Sequence, residues 1–499
     1  MGFTAIDYVI VFVYLIGVAV FGILTGGKQN SVKDYFVGGR KIPWLAVSFA
    51  VVATETSAIT FISVPGLAYL TNLNFLQIAI GYIIGRIAIA ILFLPSYYRG
   101  ELVTAYELLK TRFGDKTRNY ASIVFLVTRT LATGVRLFTT AIPLAIIFKA
   151  YKIFTGYPDT FVYAIAIIAI TVFTFAYTYT GGIKAVIWTD VIQMFIYVGG
   201  ASLALYIMLS HLPDGWNTVV AMASAKMKFQ FVDWGFSGGL AHFFTIKYSL
   251  IASVVGGAFL SMASHGTDQL IVQRLLATDS LKNSQKAVIA SGFFVGIQFL
   301  FFLIIGVSLF AFYNAFPFRD GDQIFPKFII EQLPSGVSGI IVAGLFASAM
   351  GSLSGSINSL ASSTLIDLYK PYFGKNDNDR KDLRLSKLFS FIWTIILVAA
   401  AFIFLKSNES VIEIALSIAS VTYGGLLGTF LLGVLFKKPR QIDAIIGFTA
   451  GLLVLVYIFF FTPIAWTWYT MIGSIATIVV GLTSSRFGSV RTAQRHKVE

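Results

Sequence analysis

The chain has 499 residues, 57% of them apolar, a mean hydropathy of +0.81 and only 12% charged residues, well below the roughly 25% that a water-soluble domain carries. The net charge of +14 would suit nucleic acid, but apolar runs of about twenty residues, each long enough to cross a hydrocarbon core as a helix, assign the basic residues to loops at a membrane surface. There is no cysteine, so disulfides and thiolate metal or redox chemistry are excluded.

Apolar runs read against polar punctuation predict an all-α membrane protein of thirteen transmembrane helices. They lie near 5–25, 44–70, 75–96, 119–148, 161–178, 185–210, 246–266, 284–313, 336–366, 387–405, 411–435, 442–461 and 465–485. The first run carries Asp7 and no Lys or Arg ahead of it, unlike a signal peptide with its positive n-region, so it is kept as a helix. Connections 26–43, 97–118, 179–184, 267–283, 367–387, 436–441 and 486–499 hold most of the 37 basic residues. Short basic loops stay in the cytoplasm, which places the amino terminus outside and the carboxyl terminus inside a cell membrane, bacterial in type. No linker divides the chain, so 1–499 is expected to be one membrane domain. After the first helix, two sets of five helices begin on opposite sides, the arithmetic of an inverted repeat. The outer stretch 211–245, with Trp216, Phe229, Phe231, Trp234 and Phe236, is expected to lie along the membrane interface.

Three polar clusters fall at bilayer depth, where ionisable groups cost about 2.5–3.5 kcal/mol each and are functional candidates by default. In the second helix, Ala53, Thr54, Glu55, Thr56, Ser57, Ala58, Ile59 and Thr60 make a poor helical interior, because Ser and Thr compete for backbone partners and Pro65 lacks a donor. An unwound turn here would free carbonyl oxygens for a dehydrated sodium ion; the alternative is a continuous helix, in which Glu55 has no evident partner. In the ninth helix, Ser348, Ser352, Ser356 and Ser359 share one face, either as a close-packing seam or as hard oxygens for a cation. Asp190 enters the sixth helix from its inner end; a cation would satisfy it, as would a capping role or a lysine. Arg129 lies about 15 Å into its helix, where it could clasp a substrate carboxylate or neutralise Glu55, with Arg136 pairing elsewhere or reaching outward.

The segments YTYTGGIKAVIWTDVIQ (177–193), FASAMGSLSGSINSLASS (346–363), ATETSAITFISVPGLAY (53–69) and HGTDQLIVQRLLATDS (265–280) together resemble the sodium/solute symporter family. That resemblance implies a LeuT-type core of two inverted five-helix repeats, approximately 44–210 and 246–435, with one extra helix before it and two after. It implies a sodium site from the backbone carbonyls of Ala53, Thr56 and Ser348 and the hydroxyl of Ser352, with Gly351 where family members often have another hydroxyl. Asp190 and Ser354 correspond to a second sodium site that some members carry, here with Gly355 replacing a serine. The substrate pocket would draw on Glu55, Ser57, Thr60, Phe75, Gln77, Arg129 and His265. The expected activity is sodium-coupled symport of a small organic solute by alternating access, favouring a sugar or an acidic sugar such as sialic acid, with monocarboxylates, amino acids and vitamins as alternatives. The expected partners are sodium, the solute and the lipid bilayer, with no organic cofactor, nucleic acid or obligate protein partner. An enzyme is not expected, since His211, His242, His265 and His496 are scattered and form no catalytic or metal cluster. A channel or solute sensor is the alternative of a different class.

Overall fold

The computed structural model describes residues 4–495 except 57, 101, 151–153, 155, 237–238, 375–378 and 405–410. Among the described residues there are helices and no strands, as a chain in lipid requires when every backbone polar group must be satisfied within its own segment. The principal helices are α1 (Ala5–Gly26), α2 (Trp44–Glu55), α3 (Ala58–Leu70), α4 (Gln77–Leu92), α5 (Asp115–Ala150), α6 (Asp159–Ser210), α7 (Gly257–Gly266), α8 (Gln269–Leu275), α9 (Leu281–Phe312), α10 (Val337–Ser363), α11 (Asp379–Ile403), α12 (Val411–Leu435), α13 (Gln441–Phe461) and α14 (Tyr469–Arg495). Helix occupies each of the thirteen expected segments, and nine helices of the described residues are long and apolar enough to cross a membrane.

The 44–70 span is two helices, α2 and α3, interrupted at Thr56, whose ψ of 95° is extended, which is the unwound turn and not the continuous helix. Two other expectations about the segments change. The expected loop 179–184 is instead a sharp kink inside α6, confined to Gly182 at φ 58° and ψ −155°. Only glycine adopts that conformation readily, and a Cβ there would stand 2.5 Å from the Tyr35 carbonyl oxygen. The segment 267–283, counted as a basic loop, contains α8, every residue of which is buried, Arg274 included.

Helix α10 is the axis of the molecule: all but two of its 27 residues are buried. It runs along α6, with α1 against both, and meets α2, α5 and α8. Helices α12, α13 and α14 pack on one another. The start of α10 is fixed from 330 residues away in sequence. Fully buried Asp7 of α1 accepts the backbone N–H groups of Gly336 and Gly339 through Oδ1 at 2.8 and 2.7 Å, and those of Thr4 (N–H and hydroxyl) through Oδ2. A carboxylate belongs at a helix N-terminus, where unpaired N–H groups and the dipole both attract it.

Asp7→Ala strands those N–H groups. It should destabilise the protein by about 1–3 kcal/mol, read as a lower unfolding temperature in detergent, while Thr4→Ala should cost much less.

Candidate functional site

The interruption between α2 and α3 faces the serine stripe of α10. The last carbonyls of a helix have no partner within it, and here two of them are met from across the gap. The Ser348 hydroxyl donates to the Thr56 carbonyl at 3.0 Å and the Ser352 hydroxyl to the Thr54 carbonyl at 3.4 Å. The Thr56 hydroxyl is buried, with the Tyr197 hydroxyl of α6 beside it. Ser348 and Ser352 thus meet the end of α2, and Ala53, in the last turn of that helix, is buried with them. Ser356, one turn further along α10, shares a 2.8 Å hydrogen bond with Thr133 of α5.

Three buried ion pairs surround this break. Glu55 pairs with Arg86 of α4, whose other nitrogen donates to Ser291 at 2.7 Å, and His265 Nε2 lies 3.5 Å from the same carboxylate. Glu55 therefore has partners, and they are not Arg129. That arginine is committed to Asp268 and donates to the Tyr423 hydroxyl at 2.9 Å, while Tyr423 donates to Asp268 at 2.5 Å. Asp190 is met neither by a lysine nor by a cap but by Arg274 of α8, through Nη2 at 3.0 Å and Nε at 3.3 Å, with the Thr54 hydroxyl at 3.4 Å. Gly355 makes room for that guanidinium: a Cβ at 355 would collide with Arg274 Nη2. The other oxygen, Asp190 Oδ1, faces Gly351 together with Gln193 Oε1, both buried.

One intramembrane guanidinium stands apart. Among the described residues no carboxylate lies within ion-pair distance of Arg136. It donates to the Thr54 carbonyl at 3.2 Å and lines a small cavity with Thr133, Thr140, Ala349 and Ser352. The sequence placed Arg136 inside a helix without showing that, among the described residues, it would meet no carboxylate, and did not single out Arg86 as the partner of Glu55. Asp268, Arg274 and Tyr423 carried no such signal, the first two because their segment reads as a basic loop.

Other expected residues are placed differently from one another. Thr60 and His265 are buried beside the break. Gln77 is a latch, donating to the Tyr248 and Asn74 carbonyls and accepting from the Asp233 N–H; Phe75 packs edge-on against Tyr248 and Phe299. The Ser354 hydroxyl bonds back to Gly351 in its own helix at 3.0 Å. Ser57 lies outside the described residues. In the stretch 211–245, Trp216, Phe231, Trp234 and Phe236 are exposed. Lys228 there donates to the Tyr69 and Thr71 carbonyls at the end of α3, at 2.6 and 2.8 Å, so this stretch straps the end of α3 to the start of α4.

The profile of the Sodium:solute symporter family matches residues 35–451. The sodium/sialic acid symporter of Aliivibrio fischeri is 30% identical over 97% of this chain and 94% of its own length. Among solved structures, a sodium-coupled sialic acid symporter in a substrate-bound, outward-open state, described as revealing a novel sodium site, superposes with a TM-score of 0.84 at 26% identity, covering 97% of this chain and 98% of that one. Mhp1, a nucleobase-cation-symport-1 family transporter in a closed conformation, has a TM-score of 0.54 at 12% identity over 92% of this chain and 95% of its own, a likeness of fold alone. The broken helix against a hydroxylated helix, the LeuT-type architecture and the matched profile agree: this multi-pass membrane chain belongs to the sodium:solute symporter family, whose members are sodium-coupled secondary transporters rather than enzymes.

Proposed function

We propose that this protein takes up an acidic sugar, sialic acid or a close analogue, together with sodium, in a membrane of bacterial type with the amino terminus outside and the carboxyl terminus in the cytoplasm. The two repeats are 44–210 and 246–435 within one domain. Sodium binds at the break, on the carbonyls of Ala53, Thr56 and Ser348 and the hydroxyl of Ser352. The observation that carries this reading is the pair of α10 hydroxyls turned onto the free carbonyls of Thr54 and Thr56. Midplane carbonyls freed by an unwound turn are the sodium ligands expected of broken-helix transporters.

Arg136 is the proposed partner of the solute carboxylate, replacing Arg129 in that role. Arg129 is spent on Asp268, whereas Arg136 meets no carboxylate among the described residues. Its position also supplies coupling. A guanidinium bonded to the Thr54 carbonyl repels a cation at the break; a solute carboxylate drawing that guanidinium away removes the repulsion. Sodium affinity and solute affinity then rise together, as linkage requires. Glu55, Thr60 and His265 complete the pocket from the other side. A monocarboxylate would satisfy Arg136 equally, and the family includes monocarboxylate and vitamin transporters, so the solute panel must contain both classes.

One sodium per solute is the proposed stoichiometry. Arg274 already balances Asp190, and its guanidinium fills the space that Gly355 leaves. A second sodium beside that pair would add an uncompensated charge in a low-dielectric site, which is strongly unfavourable.

Uptake of labelled sialic acid, neutral sugars and monocarboxylates into proteoliposomes, with and without an inward sodium gradient, tests the function. Accumulation should require sodium and a carboxylate on the solute, and a panel member entering equally well without sodium would sink the sodium assignment. Ser352→Ala should raise the half-saturating sodium concentration about tenfold, the effect of about one lost ligand. Arg136→Gln should abolish transport of acidic solutes while leaving sodium binding measurable; if instead it leaves acidic-solute transport unchanged, the carboxylate is held elsewhere. Reversal potentials measured across a series of sodium gradients should give one sodium per solute, and a ratio of two would show that Asp190 takes a second ion.

A further inference from the structure

The polar stripe of α10 does not stop at Ser359. It continues to Ser363 and then to Asp367, in the π-helical turn Thr364–Tyr369 that follows the helix. Such turns are rare and are found frequently at functional sites. Asp367 is fully buried. Its Oδ1 accepts the Thr104 hydroxyl at 2.6 Å and its Oδ2 the Ser363 hydroxyl at 2.8 Å. Among the described residues no lysine, arginine or histidine lies within ion-pair distance of it, so a bound cation is the partner that would let this buried carboxyl ionise. Lys370, three residues on, pairs with Asp382 at 2.6 Å. The hydroxyl of Ser122, on α5, is buried and turned toward the Asp367 carboxyl. Glu107 accepts the N–H groups of Val103 and Thr104 at 2.7 and 3.0 Å, fixing the Thr104 loop and adding a second negative charge nearby.

We propose that Asp367, with the hydroxyls of Thr104, Ser363 and Ser122, forms a second, transient cation site through which sodium leaves toward the cytoplasm. The inference rests on the sodium site and the orientation proposed above. Asp367 lies fifteen residues beyond Ser352 in the sequence, about 22 Å along a helix. Between them the same face carries Ser356 with Thr133 at 2.8 Å, then Ser359; Ser362, beside this face, is met by Gln269 at 3.2 Å. An ion released from the break would cross apolar protein unless oxygens replaced its water along the way. A carboxylate at the far end of that face lowers the barrier to exit and holds the ion where the inner solution can take it up.

The test uses the full-length protein inserted in one orientation in proteoliposomes, with solute uptake titrated by external sodium and solute efflux by internal sodium. Asp367→Asn should raise the half-saturating internal sodium concentration about tenfold, the effect of one lost charged ligand, and leave the external value within about twofold. Asp367→Glu should restore the internal value, and the neutral Thr104→Val and Ser122→Ala variants should shift it in the same direction by less. A shift at the external face alone would show that the orientation is reversed while the site stands. If Asp367→Asn moves neither value while sodium-coupled transport persists, or if Thr104→Val and Ser122→Ala are both silent where Asp367→Asn fails to fold, the carboxylate is structural and the exit site is overturned. Loss of sodium dependence in the unaltered protein would instead defeat the reading at the break.

Discussion

An ionised side chain inside hydrocarbon must find a partner of opposite charge, and in this protein that requirement decides which helices are tied together. Glu55 binds the end of α2 to α4 through Arg86. The two other pairs converge on one short segment: Asp268 and Arg274, at the entrance and near the end of α8, reach Arg129 on α5 and Asp190 on α6. Helix α8 is therefore clamped to the first repeat at two points, and it follows directly on α7, whose His265 touches the Glu55 carboxylate. A movement of one repeat against the other cannot leave these charges unpaired, because a buried charge without its partner costs several kcal/mol. Alternating access must either carry the pairs as rigid units or exchange their partners for ions, solute or water.

Most of the architecture was legible in the sequence because its determinants are local. Run length gives the spans, and the run Thr54 to Thr56 marks the place where the second span is a poor helical interior and the structure breaks it. The serine stripe was legible for the same reason, since spacing alone puts Ser348, Ser352, Ser356 and Ser359 on one face, and the structure turns Ser348 and Ser352 toward the break. Pairings were not legible. Arg129 and Arg136 are two turns apart on one helix and look equivalent in the sequence. What separates them is Asp268, 139 residues away, which occupies one, while among the described residues the other meets no carboxylate. Arg274 was hidden further by its setting, a short polar-looking segment that folds inward instead of remaining a surface loop.

Two glycines show how small residues set the ionic character of the centre. Gly355 leaves room for a permanent cation, the Arg274 guanidinium, against Asp190. Gly351 leaves room on α10 for the Asp190 and Gln193 side-chain oxygens, which a Cβ there would crowd. In lipid such residues are commonly explained by the close approach of helices. Here they also settle how much charge the centre holds before any ion arrives.

The clasp between Asp7 and the start of α10 has a consequence for the order in which the molecule assembles. Its two partners are separated by 329 and 332 residues, so α1 is synthesised and inserted long before Gly336 and Gly339 leave the ribosome. Through most of translation Asp7 can be satisfied only by Thr4 and by water at the membrane surface. The start of α10 is thus locked in a late step, after some two-thirds of the chain is already in the bilayer. Folding errors that expose this end would be made late, and a defect in the first helix would damage a site whose residues are hundreds of positions away.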